Sequence, residues 1–211
     1  MPSKAKATKQ ASIYSVHPGV KMVQDWVASL PEKTGRSLEQ WIQLVRKSGP
    51  ATEKERREWL KAEHKLGTNS AWWVAERAEG KPSVDDDPEA YLKAAEGYVE
   101  EMFAGPKATL RPIYDRLLAL GLKMGKDVKA CPCKTIVPLY RRHVFAQIKP
   151  STRTRIDFGF ALGALKGAGR LIETGGYAKK DRITHRIAIT SLDEIDDEVK
   201  RWLKGAYDLD A

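Results

Sequence analysis

Cysteine is almost absent from this 211-residue chain, with Cys131 and Cys133 the only two, and histidine is nearly as scarce at four residues. So thin a supply excludes a disulfide-stapled scaffold and leaves little for a metal centre. A zinc site wants four nitrogen or sulfur ligands, usually with two to four residues between paired cysteines. Cys131-Pro-Cys133 has one, His143 could add a third ligand, and no fourth is evident. Two packed thiols are therefore expected, and no metal or other cofactor. Long apolar runs are missing as well: none approaches the ~18 residues of a spanning helix, and mean hydropathy is −0.49. No apolar stretch follows the basic segment Met1 to Gln10, so a secretory signal is not expected. A cytoplasmic location with reduced thiols and no membrane partner is the corresponding expectation.

Catalytic motifs are also lacking. The glycines at 159, 163, 167, 169, 175 and 176 fit neither a phosphate loop nor the dinucleotide pattern, which fails at Ile172. No serine sits in a nucleophile elbow. A metal-dependent nuclease needs clustered carboxylates, yet residues 107–190 offer only Asp115, Asp127, Asp157, Glu173 and Asp181. The sequence thus points away from an enzyme, and no catalytic residue is assigned.

What the chain does have is positive charge in one place. The net charge is +9, and residues 107–190 hold 18 Lys and Arg against those five acids, while the segments on either side are net acidic. Such asymmetry speaks to partners rather than to fold.

Apolar spacing divides the chain in two. Val20, Val23, Val27 and Leu30 recur at helical spacing, ending at Pro31 and Gly35. Ser37-Leu-Glu-Gln40 and Thr52-Glu-Lys-Glu55 are capping boxes for a second and third helix, and a fourth short one follows Thr68. Residues 81–88, two prolines bracketing an acidic run, are the expected linker. Two helices are expected at about 89–103 and 107–121. From Val128 the apolar period becomes two, over Val128–Lys134, Ile136–Tyr140, Val144–Ile148, Arg155–Leu162 and Ile183–Thr190. Ser191-Leu-Asp-Glu194 is a third capping box, read as opening a C-terminal helix. The expected plan is a basic disordered tail (1–14), a small helical bundle (15–80), the linker (81–88) and a basic α+β domain (89–211) with an antiparallel sheet flanked by helices.

Two stretches carry a resemblance. EKTGRSLEQWIQLVRKSG with REWLKAEHKLGTNSAWWVA resembles bacterial domain-of-unknown-function family 4287. KTIVPLYRRHVFAQIKPSTRTRIDFGF with DRITHRIAITSLDEIDDEVKRWLKGAYD resembles family 5655, often found behind it. Neither implies an established activity. The ending, Thr184-His185-Arg186 and then an acidic-capped helix reaching Ala206-Tyr207, is also similar to the MmcQ/YjbR-like double-wing proteins, for which DNA binding has been proposed; Cys131-Pro-Cys133 inherits no role.

The expected contact surface for nucleic acid or another anion is Lys134, Tyr140, Arg141, Arg142, Lys149, Arg153, Arg155, His185 and Arg186. Cations beside aromatics suit a nucleic-acid backbone and exposed bases; a merely solvated basic surface is the plain alternative. His185 and Arg186 point to opposite faces of a strand, so His185 is either a hydrogen-bonded buried histidine or part of an anion pocket. Adjacent Trp72 and Trp73 lie about 100° apart on a helix and cannot both be fully buried, so they form core plus rim or a protein-partner surface. A non-catalytic binder of DNA or RNA leads; a module for a small ligand or an acidic protein partner is the alternative.

Overall fold

A computed structural model describes residues 12–80 and 86–211. Residues 1–11 of the expected tail and 81–85 of the expected linker lie outside the described residues. The chain divides into two compact units, one from His17 to Tyr91, the other joining residues 12–16 to Leu92–Ala211. Among the described residues no helix is long and apolar enough to cross a membrane.

The first unit is built on α1 (Pro18–Thr34), α2 (Leu38–Ser48), α3 (Glu53–Ala62) and α4 (Thr68–Ala78). Both capping boxes form as the sequence predicts, at Ser37 with Gln40 and Thr52 with Glu55. Pro31 does not end α1. The helix runs three residues further and closes at Gly35, whose φ of 72° suits glycine and whose N–H donates to the Pro31 carbonyl. In a last turn the missing proline N–H removes a single bond, so the helix passes through. The core gathers Leu30, Trp41, Val45, Leu60 and Val74. Ala71, Ala75 and Ala78 are also buried there, and such small side chains let α4 approach its neighbours closely.

The second unit carries α5 (Pro88–Met102) from Leu92 onward, a 3-10 helix (Gly105–Leu110), α6 (Arg111–Leu122) and α7 (Asp197–Leu209) around a six-stranded antiparallel sheet. Its strands are β1 (Lys129–Ala130), β2 (Val137–Tyr140), β3 (Val144–Pro150), β4 (Ile156–Phe160), β5 (Ile172–Glu173) and β6 (His185–Ile189), in spatial order β1-β2-β3-β4-β6-β5. Here the expected Val128–Lys134 strand shrinks to two residues, although the N–H groups of Cys131 and Cys133 still donate to the Pro138 and Ile136 carbonyls; β5 is a strand the sequence did not announce. The Ser191 box caps only a short 3-10 turn, and the N-cap of α7 is Asp196, which accepts from Glu198 and Val199 N–H.

Register sorts the two faces. Ala146, Phe160 and His185 align across β3, β4 and β6, as do Ile148, Phe158 and Ile187. These side chains are buried against the helices. Gln147, Gly159 and Arg186 align on the other face, beside Lys149, Asp157 and Ala188. Where β2 meets β3 the register slips, Leu139 facing Ala146 and Tyr140 facing Val144. Phe145 is the extra residue of this bulge. It turns inward and packs edge-on against Tyr207 of α7. Tyr14 belongs to this unit too, its hydroxyl 3.0 Å from that of Tyr114.

Candidate anion-binding groove

The cations expected to touch phosphate fall into three groups. Arg141, Arg142 and His143 form the tight β2–β3 turn, which is tied down by the C-terminal end of α7. Arg141 donates to Asp127 at 2.8 Å and to the Tyr207 carbonyl, with its guanidinium 4.2 Å from the Tyr207 ring centre. The backbone N–H groups of Arg142 and His143 both donate to the Asp210 carboxylate, at 3.0 and 2.8 Å. The His143 ring and the Arg182 guanidinium complete that carboxylate's shell. Burial alone would raise the Asp210 pKa, but these donors and the Arg182 charge hold it below its ordinary value.

Arg155 and Arg186 lie on the sheet face away from the helices, and both pair with Asp157 at 3.0 Å. Two guanidiniums share one carboxylate, which leaves about one positive charge over. His185 points the other way. Its side chain is buried, with Nδ1 2.8 Å from the Thr184 hydroxyl and Nε2 2.8 Å from the Leu165 carbonyl. Both ring nitrogens are thereby occupied, so His185 does not join the other cations.

Lys134, Lys149 and Arg153 are the third group, and they do come together. They line an open groove of about 630 Å³ between the α5-to-α6 connection and the β3–β4 hairpin. Lys107 is the fourth cation there and donates to the Pro150 carbonyl at 2.7 Å. Glu101 is the one acid among the lining residues. Among the described residues, Lys134, Lys149 and Arg153 hold no ion pair. Sequence reasoning missed Lys107 and Glu101, because only folding carries Lys107 to Pro150 across 43 positions. Its place at the start of the basic segment was the available signal.

Tyr140 lies outside the groove, half-buried, with burial pushing its hydroxyl up to about 12. The Cys131 thiol is likewise pushed up to about 12 by burial and donates weakly to the Val16 carbonyl. Cys133 is raised by burial as well. Both are free thiols of low reactivity. No group of three His, Cys, Asp or Glu among the described residues could hold a metal ion. In the first unit Trp73 packs 4.6 Å from Trp26, while Trp72 keeps 42% of its surface exposed.

A helical unit followed by an α+β unit with a basic groove is the class that fold and site define. The family follows from the matching models. The Domain of unknown function (DUF5655) model matches residues 99–210, more than half of the chain, and the chain belongs to that family. The Domain of unknown function (DUF4287) model matches residues 23–79. No curated protein and no solved structure matches the chain.

Proposed function

We propose that the second unit is a non-catalytic binding module that holds nucleic-acid phosphates along this groove. One observation carries the reading: Lys134, Lys149 and Arg153 converge on a concave site without ion-pair partners among the described residues, whereas Arg141 is matched by Asp127, and Arg155 and Arg186 are half neutralised by the one carboxylate of Asp157. Cations already paired have little electrostatic attraction left for a phosphate, and unpaired ones displace condensed counterions when they meet it. A small anionic ligand is the second reading, favoured by the groove's volume, which falls within the usual ~300–1,000 Å³ of small-molecule pockets.

Fluorescence anisotropy with labelled mixed-sequence DNA and RNA at low salt separates the two. Micromolar binding that Arg153→Ala weakens several-fold, and Lys204→Ala leaves unchanged, is the expected outcome. Lys204 is the control because it is already paired with Asp208 at 2.6 Å. Selective capture of a small anion with no oligonucleotide binding would favour the second reading.

A further inference from the structure

We infer that the groove seats one unpaired nucleotide of a single strand rather than the backbone of a duplex. The inference rests on the nucleic-acid reading above and names its substrate class. Met102, Ala104, Pro106 and Pro150 supply apolar lining, while Lys107, Lys134, Lys149 and Arg153 supply the cations. A duplex is convex and keeps its bases stacked inside, so it could meet the cations but would leave the apolar part of a 630 Å³ concavity empty. An unpaired nucleotide matches both halves. Its base has two flat apolar faces, one of which can lie on the exposed Pro106 ring and Ala104, and its phosphates reach the ammonium and guanidinium groups. The hydroxyls of Thr135 and Ser151 and the Glu101 carboxylate also line the site. They supply donors and acceptors for a base edge, which pairing would hide in a duplex.

The strand also has a way out of the groove. Lys149 lines it and at the same time belongs to the sheet face away from the helices, opposite Asp157. Two residues back along β3, Gln147 lies opposite Gly159, which in turn faces Arg186 on β6. At a rise of about 3.3 Å per residue and a strand spacing of about 4.8 Å, Lys149 and Arg186 lie roughly 12 Å apart on the surface. Arg155 and Arg186 share Asp157, so this face keeps a surplus positive charge for the next phosphates. A single strand bends from a concave site onto such a surface; a duplex, with a persistence length of about 150 base pairs, does not.

Anisotropy titrations of the full chain, compared at each of several salt concentrations, test the inference. The probes are a mixed-sequence 12-mer, its duplex, and the same single strand carrying abasic positions. The single strand is expected to bind about tenfold more tightly than the duplex, because pairing withdraws the base faces and edges from the groove, and abasic positions should erase most of that preference. Ala104→Leu, an exposed position where a larger side chain narrows the groove, should bring single strand and duplex close together without changing the salt slope. Equal binding of single strand and duplex, or a preference indifferent to abasic positions, overturns the inference and leaves phosphate binding standing. Absence of binding to every oligonucleotide overturns both.

Discussion

Asp210 is a carboxylate with 2% of its side chain exposed, and two backbone N–H groups, an imidazole and a guanidinium converge on it. A buried charge stays ionised only when its lone pairs are met, and here they are. Asp210→Asn would remove the charge and turn an amide N–H₂ toward donors, leaving at least one of them unmatched. The expected cost is about 2 kcal/mol at neutral pH, read by chemical denaturation. The sign of the pH dependence follows from the lowered folded pKa. The carboxylate's contribution is complete above its unfolded value of about 3.9 and is lost as pH falls through the lower folded value. The difference between wild type and Asp210→Asn should therefore hold from pH 7 to about 5 and shrink below about 4. A difference that stays constant to pH 2 would contradict the assignment. None of this was legible in the sequence, where Asp210 was one acid among seven in residues 191–211. Its role depends on a turn 67 positions away.

At the scale of elements, what is local was readable and what is long-range was not. Two capping boxes form as expected because a cap is decided within four residues. The third misled: Ser191 with Glu194 closes its box on a 3-10 turn, and α7 begins only at Asp197, after its own cap at Asp196. Any Ser-x-x-Glu can close such a box without committing the chain to a long helix. The groove shows the same limit. Lys134, Lys149 and Arg153 stood out by local charge, but their convergence with Lys107 depends on how the α5-to-α6 connection meets the β3–β4 hairpin. Helix-to-sheet packing also leaves a testable mark. A Cβ on Gly121 of α6 would lie 2.4 Å from Leu139 Cδ1 on β2, so this glycine sets how closely the helix approaches the sheet. Gly121→Ala gains up to about 1 kcal/mol of helix propensity but incurs about 1–3 kcal/mol of overpacking. A net loss near 1 kcal/mol is expected in denaturant unfolding, and Leu139→Val should recover part of it. A stabilised Gly121→Ala would show that the helix has room to spare.

For the molecule as a whole, the positive charge read from the sequence is partitioned by the fold. Arg141 and Arg170 are consumed by carboxylates within their own unit, and Arg155 and Arg186 share one, while the groove cations lie open on one concave surface. The central claim is that this surface meets phosphate. Its most direct test is the salt dependence of oligonucleotide binding by the wild type and by Lys134→Ala/Lys149→Ala/Arg153→Ala. Four contacts imply that log affinity falls with log salt at a slope of about −3 on single strands and −3 to −4 on duplex, allowing for incomplete engagement. The triple variant should flatten the slope by about two units while its thermal unfolding stays near wild type, because exposed unpaired cations contribute little to stability. A folded triple variant that keeps the wild-type slope, or wild-type binding indifferent to salt, would contradict the account.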